Sequence, residues 1–209
     1  LRQPALNKDG SLVAFCFQGD IWTVPAIGGK ASRLTIHEAY ESSPVFSPDG
    51  KQIAFASDRY GNFDVFVMNA NGGEAKRITF HSANESPYSF SPDGKSVVFG
   101  ATRLDAADNR QFPTGSLPEL YSVSVNGGRV NQVLTTPAED VHYSADGKLL
   151  YYHDKKGGEN TFRKHHTSAI TRDVWVYDTQ SGQHKKLTSF EGEDRNPIPT
   201  ADSKSIFYL

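Results

Sequence analysis

The residues of this chain best suited to chemistry cluster in one stretch. Five of its seven histidines, His142, His153, His165, His166 and His184, lie between residues 142 and 184. Neutral imidazole is a ready metal ligand. The spacing argues against a metal, because His165 and His166 would point to opposite sides of an extended strand and no His-Glu-x-x-His pattern occurs. The reading is therefore no metal and no cofactor. Arg163-Lys164-His165-His166, with Arg172 nearby, is the densest basic run. Such a run can hold a peptide carboxylate through charge-assisted hydrogen bonds, although charge runs are most often solvated loops. Glu41, Glu85 and Asp194 share one position of an internal repeat, with Glu139 one place off. If the strands that follow them line a channel, these acids form an acidic rim suited to amines. The alternative role is satisfaction of loop backbone donors. Basic run and acids together are the candidate peptide-binding residues.

Covalent catalysis finds no support. Gly115-Ser116 lacks the Gly-x-Ser-x-Gly elbow, and neither Ser-x-x-Lys nor a phosphate-cradling glycine loop is present. A net charge of −2 and a pI near 6.4 give no global field for nucleic acid or anionic membrane. The single cysteine, Cys16, sits in the apolar run Val13 to Phe17 and excludes a disulfide framework. No window approaches the ~20 apolar residues of a membrane helix. The chain opens on Leu1 rather than Met, which reads as a processed or excised piece.

The elements that would position these residues are set by a repeat. Asp-Gly recurs at Asp9-Gly10, Asp49-Gly50, Asp93-Gly94 and Asp146-Gly147, with a degenerate copy at Asp202-Ser203, giving periods of 40, 44, 53 and 56 residues. Repeats near forty residues built of short strands signal propeller blades. In the second copy Pro44 to Ser47 reads as strand a, Ser47-Pro48-Asp49-Gly50 as a tight turn and Gln52 to Ala56 as strand b, buried on both faces. Asp64 to Met68 is strand c, Asn71-Gly72-Gly73 a hairpin turn and Ala75 to Thr79 strand d.

Strand c opens with acid, aliphatic, aromatic four times: Asp20-Ile21-Trp22, Asp64-Val65-Phe66, Glu119-Leu120-Tyr121 and Asp173-Val174-Trp175. Strand d closes on Leu34-Thr35, Ile78-Thr79, Leu134-Thr135 and Leu187-Thr188. The constant length of this c–d module assigns its acids to structure. From turn glycine to strand c acid the interval grows through 10, 14, 25 and 26 residues, so the variation lies in the b–c connection. Variable loops on a rigid scaffold carry binding residues, which points to the b–c and d–a loops.

The Ser-Pro-Asp-Gly-Lys turn, the Asp-aliphatic-aromatic strand and the closing Leu-Thr resemble the TolB-type propeller repeat. The fourth insertion, Glu159-Asn160-Thr161-Phe162, Arg163-Lys164-His165-His166 and Thr171-Arg172-Asp173-Val174-Trp175, is similar to the amino-terminal propeller of tricorn-type serine proteases, as is the first blade. The resemblance implies a six-bladed propeller followed by a second propeller and a serine peptidase unit, so the catalytic residues would lie beyond Leu209. It also implies a basic pair that anchors a substrate carboxylate on an early d–a loop. The matching loop here, Phe80 to Glu85, offers only His81.

The expected fold is all-β: one incomplete propeller of four-stranded antiparallel blades, near residues 1–36, 43–80, 87–136 and 141–189, with half of a fifth at 196–209. The expected function is non-catalytic: binding or channelling peptides or unfolded polypeptide, and contacting other domains of the parent protease. Exposed blade faces at the two ends of such a fragment would favour association. The alternatives are a TolB-like protein-interaction propeller and the propeller of a prolyl-oligopeptidase-type peptidase. By resemblance, the expected location is the bacterial periplasm, with cytosolic relatives as the alternative.

Overall fold

A computed structural model of the chain describes residues 1–103, 117–157 and 167–209. The first sheet contains β1 (Arg2–Leu6), β2 (Leu12–Phe17), β3 (Asp20–Pro25) and β4 (Ser32–Arg33). The second contains β5 (Glu41–Phe46), β6 (Gln52–Ser57), β7 (Asp64–Asn69) and β8 (Lys76–Arg77). The third contains β9 (Glu85–Phe90), β10 (Ser96–Ala101), β11 (Glu119–Ser124) and β12 (Asn131–Leu134). The fourth contains β13 (Ala138–Tyr143), β14 (Leu149–Asp154), β15 (Val174–Asp178) and β16 (His184–Lys186), and a hairpin of β17 (Ile198–Pro199) and β18 (Ile206–Phe207) follows. Each sheet keeps its strands in chain order. This is the up-and-down blade expected from the repeat. Among the described residues there is no helix long and apolar enough to cross a membrane.

The chain divides into two compact units, residues 1–101 with 121–131 and residues 102–120 with 132–209. In the first unit the continuous apolar runs are explained by two cores. On β6, Ile53 and Phe55 pack with Ala14, Ile21, Phe66 and Met68. The intervening Ala54 turns the other way, into a cluster with Val65, Val67, Ile78 and Phe99. Alternate residues of a strand face opposite sides, so a strand buried on both faces must be apolar throughout. Phe55 stacks on Phe66 with ring centroids 5.7 Å apart, and fully burying such a side chain stabilises by about 2–3 kcal/mol. In the second unit Leu150, Tyr152 and Val174 are buried.

The repeated motifs owe their constancy to hydrogen bonds. In the turn, Asp49 Oδ1 accepts from the Ser47 hydroxyl at 2.6 Å and from the Lys51 N–H at 3.0 Å. These bonds, with the Ser47 hydroxyl foremost, hold the Asp49 carboxyl below its usual range. Gly50 completes the turn at φ +70°, a left-handed conformation that costs glycine little. The closing threonine caps strand c. Thr35, Thr79 and Thr188 Oγ1 accept from the N–H groups of Ile21, Val65 and Val174 at 2.9, 2.8 and 3.1 Å. The strand c acid in turn pairs with a residue on strand d: Asp20 with Arg33 at 2.6 Å, Asp64 with Arg77 at 2.7 Å and Asp173 with Lys186 at 2.8 Å. In the third sheet Gln132 donates to Glu119 at 2.8 Å.

Candidate functional site

Strand a begins earlier than Pro44, because the rim acids are part of it. Glu41 and Glu85 are the first residues of β5 and β9. Their backbone N–H groups donate to the carbonyls of Gly19 and Phe63, both at 2.8 Å, and so tie each sheet to the residue before the preceding strand c acid. In the second unit the same bond runs from Ala138 to Pro118 at 3.1 Å and from Asp194 to Arg172 at 3.0 Å. The repeat position is thus a joint between successive sheets. The acid side chains are withdrawn from solvent: Glu41, Glu85 and Asp194 are 0%, 1% and 4% exposed. Glu41 is held by Arg59, whose guanidinium lies 5.1 Å from the Phe66 ring centroid.

Arg172 is buried and engaged within the fold. It pairs with Glu193 and lies 3.6 Å from Glu139. Glu139 also takes Lys155 Nζ at 3.1 Å and faces His153 Nε2 at 3.4 Å. Burial opposes ionisation of Glu139, but the His153 hydrogen bond and the Lys155 charge outweigh it and pull the carboxyl down to about 2. Arg163, Lys164, His165 and His166 lie outside the described residues. Partial burial of His142 lowers its pKa, and His184 Nδ1 is 2.8 Å from the Tyr152 hydroxyl. Among the described residues no group of three His, Cys, Asp or Glu side chains is placed to hold a metal ion.

The structure adds a feature absent from the sequence reading. Near the start of strand a stands a non-glycine at positive φ: Gln3, second in β1, at +50°, and Ser43 and Asp140, third in β5 and β13, at +52° and +49°, with Asn196 at +55° in the equivalent place before β17. At Gln3, Ser43 and Asp140 the pairing with strand b shifts by a bulge. The extra residue turns a polar side chain sideways. Gln3 bonds Ser43 and Ser86 Oγ lies 3.3 Å from Ser43 Oγ in the first unit, while Asn196 Nδ2 donates to Asp140 at 2.8 Å in the second. In the third sheet the position is Pro87, whose ring forbids positive φ, and the irregularity falls where Tyr88 stands. The available sequence signal was a polar residue two places beyond Glu41 and Asp194, Ser43 and Asn196.

The d–a and b–c loops present apolar surface. In the first unit Ile36, Tyr60 and Phe80 are 80%, 64% and 69% exposed. Arg77 sits between two of these rings, 4.4 Å from the Tyr60 centroid and 4.7 Å from Phe80. Such cation–π contacts hold exposed aromatics in place. Each unit also carries an open cleft of about 520 Å³. One is lined by Arg33, Ile36, His37 and Glu38, the other by residues including Lys156, Asp173, Lys186, Phe190 and Glu191.

Comparison with known proteins places this architecture. The family model described as the tricorn protease N-terminal beta propeller domain matches residues 1–209. A curated relative, tricorn protease homolog 1 of Streptomyces coelicolor, is 38% identical over 61 residues, which is 29% of this chain and 6% of that protein. The chain thus spans a small part of that relative. The crystal structure of the tricorn protease superposes with a TM-score of 0.73 at 21% identity, over 94% of this chain and 19% of the other. TolB from Acinetobacter baumannii gives 0.68 at 21% identity, over 100% of this chain and 53% of the other.

Proposed function

Because this chain belongs to the tricorn protease N-terminal β-propeller domain family, we propose that it is the polypeptide-handling, non-catalytic domain of a serine peptidase. It receives peptides or unfolded chain on its loops and docks against other domains of the parent protein. The observation that carries this reading is the exposed loop set Ile36, Tyr60 and Phe80, two of whose rings are braced by Arg77. Exposed apolar side chains already fixed in position bind with little further loss of entropy. Of the charged groups offered for chemistry, Glu41 and Arg172 are instead paired within the fold.

The test is binding of a reduced, carboxymethylated polypeptide to the 209-residue chain, followed by fluorescence anisotropy. Saturable binding that weakens in Tyr60→Ser and Phe80→Ser supports the proposal. No binding at millimolar concentration ends it. From the likeness to TolB-type repeats we propose that the parent protein lies in the bacterial periplasm, with the cytosol as the alternative, which fractionation of cells expressing it would check.

A second reading draws on the TolB-like repeat: an adaptor for one folded partner. It requires a stoichiometric complex with a native protein and indifference to unfolded chain, the reverse of the pattern expected above.

A further inference from the structure

The two clefts lie beside the same d–a connection of their repeats, and their linings share a cation and a carboxylate at matching positions. Arg33 stands two residues before the closing Thr35, and Lys186 two before Thr188. Each cation is about half-exposed and already neutralised by its strand c acid, Asp20 or Asp173. Each keeps spare N–H donors. Beyond the threonine comes a carboxylate three residues on, Glu38 or Glu191, and between them an exposed apolar side chain, Ile36 one residue past the threonine in the first cleft and Phe190 two past it in the second. A donor, an acceptor and an apolar wall thus recur in both units.

The chemistry of this set selects its ligand. With Asp20 and Asp173 cancelling the cations and a further carboxylate at each rim, neither cleft has the surplus positive charge that a phosphate or polyanion needs. What remains complements a neutral group with a carbonyl to accept, an N–H to donate and an apolar side chain to bury. That is an apolar residue within an extended peptide. The second cleft shows further preparation. Lys156 is pinned by the Thr171 carbonyl at 2.7 Å and by Asp173 at 2.6 Å. The Phe190 ring is seated on Gly192, where an added Cβ would stand 2.1 Å from Phe190 Cε1. The ring thus lies directly over the glycine while remaining 66% exposed.

We infer that these clefts are two equivalent subsites, one in each unit, for an apolar residue of an uncharged peptide segment. This rests on the polypeptide-handling reading and gives it an address. The test uses the 209-residue chain and a capped, uncharged peptide with a central leucine beside a benzophenone-bearing residue, with a Gly/Ser peptide as control. The leucine peptide should crosslink to the loops at 36–38 and 189–191 and bind roughly tenfold better than the control, as burial of one apolar side chain implies. Ile36→Ser should abolish the first crosslink alone and Phe190→Ser the second alone. Gly192→Ala, which displaces the ring without removing it, should weaken the second as Phe190→Ser does. Crosslinking at other loops, or crosslinks unchanged in all three variants, overturns the subsites and leaves polypeptide handling standing. Displacement of the peptide by millimolar inorganic phosphate also overturns them, in favour of anion sites. Failure of the unaltered chain to bind either peptide overturns both readings.

Discussion

Gln3 clamps Ser43 with both ends of its amide, accepting from the Ser43 backbone N–H at 2.9 Å and donating to its hydroxyl at 3.1 Å. Both residues hold positive φ, an arrangement that costs about 1 kcal/mol or more for a non-glycine. The two bulges brace one another across neighbouring sheets, so each offsets the strain of the other.

Gln3→Ala should therefore lower stability by about 1 kcal/mol, since it removes two hydrogen bonds at an exposed position. Ser43→Gly should lose less, because glycine relieves the φ strain while keeping the backbone donor. Urea unfolding of the two variants checks the order, and a larger loss for Ser43→Gly would contradict it.

Arg59 is the counter-ion of a fully buried Glu41. Arg59→Met should cost about 3–5 kcal/mol, because it strands a buried charge. The double variant with Glu41→Gln should recover a large part of that loss, as removing both charges avoids the stranded one. A double-mutant cycle by chemical denaturation measures the coupling.

Acid should weaken the second unit through Glu139. Its folded carboxyl titrates at about 2 against roughly 4.3 in an unfolded chain. The group has a depressed folded pKa, so its contribution is present above pH ~4.3 and is lost as pH falls toward 2. The size is roughly 2–3 kcal/mol. Denaturation midpoints at pH 6, 4 and 2.5 should fall steeply in the unaltered chain. Glu139→Gln should flatten that slope, and an equal slope in the variant would contradict the assignment.

Thr79→Val keeps the shape of the side chain but removes the oxygen that accepts the Val65 N–H. At a site 1% exposed, that leaves a buried donor unmade, at a cost of about 1–3 kcal/mol. Hydrogen exchange should show loss of protection at the Val65 amide first. The matching changes Thr35→Val and Thr188→Val should act in the same way at Ile21 and Val174.

The local repeat was legible in the sequence because its causes are local. Ser47, Asp49 and Lys51 close their turn within five residues, and the two-sided burial of β6 follows from the unbroken run Ile53-Ala54-Phe55-Ala56. Four sheets in up-and-down order followed from those signals. The constant c–d module was correctly read as framework. Its mechanism, a threonine cap and an acid paired across strands, became visible only in three dimensions.

The site residues were harder to read because their roles depend on partners far away in the chain. By type, Arg172 offered a guanidinium for a peptide carboxylate and Glu41 part of an acidic rim for amines. Folding brings Glu193 and Glu139 to Arg172, and Arg59 to Glu41, and so gives each a charged partner within the fold. The bulges at Gln3, Ser43 and Asp140 could not be read from propensity, since nothing in a glutamine or serine requires positive φ. They arise where two strands of fixed hydrogen-bond register must also meet a neighbouring sheet. The sequence determined the period, the turns and which strands are buried, because each is set by neighbours within a few residues. The tertiary structure alone decided which charges are satisfied and which apolar side chains remain outside, because both depend on what the fold places beside them.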